Sequence, residues 1–274
     1  MKLLLIFLST LTLSAGFSQE EEEEGFPYSF YEEQVVYLLG DSVNIRKEPN
    51  LKSTAVSQLP VGTKVTIVRE TTELTRLNGI LMPWYEIQYD GKKRGFVWGG
   101  KLAQTSFRSN GNNEYAFHFG LEKIVDGEVF FQLRIEKAQK ELQRVSIRGF
   151  GTDYKPHTIT NKGNCGLKTL DDVIYIDASS EYCGDGGGSM VFFFSGGKLS
   201  EEQVLFNMMD APFYTSNYFI FPSDMEGQKD RIILHEEAGE YVDDDANPDG
   251  TKVIYSKNSD TRYKWDGKAL LKVN

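Results

Sequence analysis

The sequence predicts an all-β protein: a small antiparallel barrel near the N-terminus, followed by a larger antiparallel β-rich region, a sandwich or an open barrel. Three observations carry this. Val43 and Ile45 alternate with Asn44 and Arg46, and Gly62-Thr63-Lys64-Val65-Thr66-Ile67-Val68 alternates again, the period-2 pattern of half-buried strands. Asp90-Gly91 is a strong hairpin signal between two aromatic runs. Aromatics are plentiful, with 18 Phe, 14 Tyr and 3 Trp, a bias that favours strands over helices. The 274 residues suffice for two modest domains.

In chain order, residues 1–18 read as a signal peptide. Lys2 is the positive start, an apolar run reaches Leu13, and Gly16 and Ser18 are small residues placed for cleavage before Gln19. The run is shorter than the roughly 20 apolar residues a membrane span needs. No later stretch is apolar enough to cross a bilayer. Residues 19–33 hold the unbroken acidic run Glu20 to Glu24, which predicts a solvated, disordered leader because like charges in series repel.

Residues 34–104 form the barrel. Val43-Asn44-Ile45-Arg46 is a strand, and Pro49-Asn50 opens a loop. Leu59-Pro60-Val61-Gly62 is a turn before the second alternating strand. Trp84-Tyr85-Glu86-Ile87-Gln88-Tyr89 is the third, and Asp90-Gly91 feeds Arg94-Gly95-Phe96-Val97-Trp98. Short strands at this spacing mean a small barrel.

This ordered set resembles the bacterial SH3 domain family over about 35–103. Val43-Asn44-Ile45-Arg46 with Pro49, Pro60-Val61-Gly62-Thr63, Trp84-Tyr85, and Gly91-Lys92 before Gly95-Phe96-Val97 carry the resemblance. It implies an SH3-like, non-catalytic binding module of the kind envelope proteins use to hold cell-wall peptides or other ligands. Two departures stand out. Lys47 and Glu48 replace the usual small residues after the arginine, and residues 70–83 lengthen the loop beside the expected groove. Trp84 and Phe96 read as core. Tyr85 and Trp98, with Asn44 and Arg46, read as the groove that would take a peptide or sugar.

Residues 105–113 are rich in Ser, Asn and Gly and read as a linker. Residues 114–274 show strand patterns again: 129–135, 144–148, 173–177, 190–194, 218–221 and 231–234. Residues 136–142 read as a helical turn or a strand end. Two segments, 192–199 and 263–270, each combine aromatics, a glycine turn and a return strand. They read as two hairpins, since two copies are too few for a repeat architecture.

Few constellations carry chemistry. Cys165 and Cys183 are the only cysteines, and in an exported chain they predict a disulfide. A nucleophilic Cys165 would need a helix start to lower its pKa; Gly163-Asn164 and Gly166 flank it instead. His118, His157 and His235 show no metal-ligand spacing. Asp245, Asn247, Asp249 and Gly250 open like a calcium loop, but Ser256 stands where the closing glutamate belongs. The bare turn Asn247-Pro248-Asp249-Gly250 is the competing reading. The glycine runs 184–189 and 149–151 lack the rest of a nucleotide-binding fingerprint, and no cofactor is expected. The net charge of −10 argues against nucleic acid, which needs a basic surface.

The expectation is an exported, periplasmic or extracellular, non-enzymatic binding protein with peptidoglycan or an envelope protein as partner. The alternative is a cell-wall hydrolase with its active site in 114–274.

Overall fold

The computed structural model describes residues 28–149, 158–178, 187–200, 203–243 and 250–273. Among these residues the protein is all-β, with no α-helix. The first sheet contains β1 (Val35–Tyr37), β2 (Val43–Arg46), β3 (Ala55–Leu59), β4 (Lys64–Leu77), β5 (Ile80–Tyr89) and β6 (Lys93–Trp98), followed by a 3₁₀ turn at Gly99–Lys101. These strands bond in the order β1-β4-β5-β6-β2-β3, the small antiparallel barrel expected from the sequence. Val43 and Ile45 point inward and Asn44 outward, as their alternation requires.

The stretch 70–83 is a hairpin rather than an elaborated loop. β4 and β5 run into each other through Asn78-Gly79, both with positive φ (53° and 80°), the twist that a two-residue hairpin prefers. The hairpin tip reaches past the barrel, where Ile124 N donates to Asn78 O at 2.8 Å. A Cβ on Gly79 would collide with the Ile124 carbonyl, so this approach requires glycine.

The second sheet has β7 (Thr105–Arg108), β8 (Tyr115–Val125), β9 (Glu128–Lys137) and β10 (Lys140–Arg148), in the order β10-β9-β8-β7. Part of the expected linker is therefore a strand. Thr105–Arg108 pairs with β8, and only the following Asn- and Gly-rich residues turn the chain. Residues 136–142, expected as a helical turn or strand end, are a hairpin. Lys137 pairs with Lys140, and Ala138 and Gln139 take φ of 52° and 61° between them. The Glu136 carboxylate accepts from Gln139 N at 2.6 Å and holds that turn.

The third sheet has β11 (Thr158–Asn161), β12 (Asp172–Ala178), β13 (Gly187–Ser195), β14 (Lys198–Leu199), β15 (Gln203–Asp210), β16 (Phe213–Ile220), β17 (Ile232–Asp243), β18 (Thr251–Trp265) and β19 (Leu270–Val273). All but β14, which pairs with β13, follow sequence order across the sheet. Segments 192–199 and 263–270 are hairpins, as expected.

Alternation on β12 and β13 divides the interior. Ile174, Ile176, Met190, Phe192 and Phe194 point one way, into a core continuous with Phe117 and Phe131 of the second sheet and with Ile45, Ile67 and Trp84 of the barrel. Val173, Tyr175, Val191 and Phe193 point the other way, into a smaller core with Phe219, Ile232 and Trp265. Phe117 meets Phe194 edge-on at 4.9 Å, and Phe193 stacks on Trp265 at 5.3 Å. The larger interior does not stop where the barrel ends.

Candidate functional site

The open face of the six-stranded sheet carries the site. Register places Arg46 opposite Phe96, Phe96 opposite Glu86, and Glu86 opposite Arg69. Four strands thus contribute one row, and directly paired side chains share a face. Gly95 allows β2 and β6 to meet here. A Cβ on it would stand 2.5 Å from Ile45 Cγ2 and 3.0 Å from the Arg46 carbonyl oxygen.

Glu86 is the acid in the middle of the row. Arg69 Nε donates to it at 2.8 Å, and Arg94 Nη1 lies 3.6 Å away. The Arg69 guanidinium also lies 5.7 Å from the Phe96 ring centre, within cation–π range. Arg46 Nη1 donates to Ser53 O at 2.6 Å, which braces the loop after β2. Ser53 Oγ accepts from Glu48 N at 2.9 Å. Asn44 is exposed and accepts from Gln58 Nε2 at 3.2 Å. Arg46, Arg69 and Arg94 outnumber the one carboxylate of the row, so the face is locally basic on a chain of net charge −10. Arginine forks match carboxylates in a way lysine does not.

Of the four groove residues expected from the sequence, the structure leaves Asn44 and Arg46 on this face and removes the other two. Tyr85 is 0 % and Trp98 4 % exposed. Tyr85 packs edge-on against Phe30 at 5.4 Å, donates its hydroxyl to Glu70 Oε2 at 2.7 Å, and accepts from Phe30 N at 3.3 Å. Burial, with Glu70 adding to it, pushes the Tyr85 hydroxyl well above the usual tyrosine range. Trp98 Nε1 donates to Thr75 O at 2.9 Å, and Trp84 Nε1 to Thr75 Oγ1 at 2.7 Å. The alternation argument fails because Met82, Pro83, Trp84 and Tyr85 are all buried. The barrel is covered on both sides of β5, and residues 28–30 supply part of that cover.

Sequence reasoning read Phe96 as core, and it is half-buried against that core; its place in this row, and Glu86, Arg69 and Arg94, were missed. A signal was present: a turn centred on Gly91 sets Glu86 opposite Phe96.

Between barrel and second sheet lies a buried polar cluster. Ser106 Oγ is 2.8 Å from His118 Nδ1, and His118 Nε2 is 3.9 Å from Glu136 Oε1. Burial pulls the His118 pKa down to about 4, and Arg108 and Arg134 reinforce the shift. His235 is on an open sheet face instead, with Nδ1 2.8 Å from Asp260 Oδ1. His157 lies outside the described residues, as do Cys183 and Asp245, Asn247 and Asp249 of the calcium-loop candidate. Cys165 is buried, and its Sγ approaches Lys162 O at 3.6 Å. Among the described residues, no group of three or more His, Cys, Asp and Glu could hold a metal ion. No described helix is long and apolar enough to cross a membrane.

The six strands form an antiparallel half-barrel whose outer row is basic and carries one aromatic ring. Residues 41–103 match the bacterial SH3 domain family, the family that the sequence resemblance pointed to. No curated protein and no solved structure matches the chain.

Proposed function

We propose that the protein is an exported, non-enzymatic binding protein of the bacterial envelope. Its bacterial SH3 domain holds a carboxylate-bearing cell-wall peptide, or a protein partner, on the row Arg46–Phe96–Glu86–Arg69 with Arg94 beside it. The observation that carries this reading is the family match at 41–103 coinciding with a face where Arg46, Arg69 and Arg94 share a row with one aromatic ring, the Arg69 guanidinium lying over it. The ring supplies apolar contact, and the arginines supply paired donors for a carboxylate. Export rests on residues 1–18. In an oxidising compartment Cys165 and Cys183 are a disulfide pair.

The alternative is a cell-wall hydrolase with its active site in 114–274. Sedimentation with purified peptidoglycan, followed by analysis of released fragments, separates the two. Pelleting without new fragments supports binding alone. Released muropeptides that disappear with His235→Ala or Cys165→Ala overturn the non-enzymatic reading. A shallow face with few anchors implies micromolar to millimolar affinity, roughly −4 to −8 kcal/mol.

A further inference from the structure

The third sheet carries a second open face that the SH3 reading does not use. Along β16, β17 and β18, Tyr218, His235 and Asp260 pair side by side. Ser216, Glu237 and Asn258 form the next cross-strand row on this face, then Tyr214, Gly239 and Tyr255, and finally Tyr241 beside Val253. Paired residues share a face; every second residue returns to it on β16 and β17, and on β18 a bulge carries the face from Asn258 to Tyr255. Ring contacts agree: Tyr218 lies 5.0 Å from His235, and Tyr214 5.2 Å from Tyr241. Gly239 leaves a gap between Tyr214 and Tyr255 on the flanking strands. From His235 to Tyr241 the face runs six residues along β17, roughly 20 Å.

Three of these tyrosines are open to solvent: Tyr218 is 43 %, Tyr241 39 % and Tyr255 50 % exposed. A single exposed aromatic needs no explanation, but a set aligned on one face marks a binding surface. What lies between the rings decides the partner's chemistry. Ser216, Glu237 and Asn258 form a polar row between two aromatic ones, and His235 is held between Asp260 at 2.8 Å and Glu237 at 3.8 Å. An apolar protein surface would strip water from these groups without pairing them, at a cost. An anionic polymer would meet Glu237 and Asp260 as like charges. A glycan without charge has apolar ring faces for the tyrosines and hydroxyls for the polar row. Tyrosine offers such contact at little cost in side-chain freedom.

We propose that this face of β16–β18 is a binding platform for an uncharged glycan chain. It is independent of the SH3 face, because it shares no residue with it and does not rely on charge.

The test is calorimetric and NMR titration of the full chain with two probes, a β-linked N-acetylglucosamine hexasaccharide and cellohexaose. At least one should bind with a millimolar or tighter Kd, and Tyr218→Ala and Tyr255→Ala should each weaken it by about tenfold. Tyr255→Phe, which keeps the ring, should stay within about threefold, and added salt should change little because the ligand carries no charge. Arg94→Ala should leave glycan binding unchanged, which separates this result from any failure of the SH3 reading. In the unmutated protein, amide shifts should cluster in β16–β18, a readout that does not depend on any variant folding. Silence toward both probes, shifts centred elsewhere, or binding that survives both alanine variants would overturn the proposal.

Discussion

The Tyr85 hydroxyl donates to Glu70 at 2.7 Å while its ring packs edge-on against Phe30. A residue whose neighbours suggested a ligand groove is thus a structural tie between β5 and β4. Tyr85→Phe removes the donor to Glu70 and the acceptor for Phe30 N. It should cost about 1–2 kcal/mol of stability and leave ligand affinity unchanged in the folded protein. Urea unfolding and peptidoglycan pelleting of the same variant check this. A large loss of binding at unchanged stability would return Tyr85 to the groove.

Acid should weaken the seam between barrel and second sheet through His118. Its pKa is about 4 in the folded protein, below its ordinary 6.5, so the unfolded chain takes up the proton first. The stabilisation is fully present above pH 6.5 and is lost as pH falls through the window down to about 4. Over that range the loss approaches about 3 kcal/mol. Arg108, Arg134 and Glu136 face the same ring, so the comparison needs His118→Gln as reference. Unfolding free energies at pH 7.5 and 4.5 should differ more in the natural protein than in that variant. Equal differences would mean that His118 does not report the acid step.

The N-terminal edge of the bacterial SH3 domain lies before the family match. Phe30 is part of the core and packs on Tyr85. A fragment of residues 28–103 should therefore be more stable than one of residues 34–103, by about 3–5 kcal/mol for the lost phenylalanine, and unfold at a higher denaturant concentration. Indistinguishable midpoints would show that residues 28–30 are dispensable cover.

The cysteines are readable by mass. In protein recovered after export, digestion without reductant should yield one peptide pair joined through Cys165 and Cys183, and alkylation should label neither. Two labelled thiols would remove the disulfide.

The hairpins and the barrel were legible because their signals are local. Alternation marks β2, and glycine turns mark the reversals near Gly91, Gly197 and Gly267. What escaped is non-local or unpatterned. β18 runs fifteen residues, though Lys257-Asn258-Ser259-Asp260 has no apolar residue to mark a strand; it is strand because it pairs with β17 along its length. Ala138-Gln139 carries no turn residue, but Glu136 caps it. The site followed the same division. Asn44 and Arg46 came from a motif on one strand, whereas Arg69, Glu86 and Phe96 became neighbours only through register. Tyr85 and Trp98 were misplaced because covering both faces of a strand erases the contrast that alternation depends on.

The basic row is the proposed ligand face. Arg94 is well exposed, with its guanidinium 3.6 Å from Glu86 and no part in the core, so Arg94→Glu should fold normally while placing a second acid beside Glu86. The deciding measurement is the fraction of this variant pelleted by purified peptidoglycan, beside the natural protein and across a salt series. The variant should lose at least about tenfold in affinity, and natural binding should weaken as salt rises. Undiminished pelleting by Arg94→Glu, at every salt concentration, would contradict the proposal.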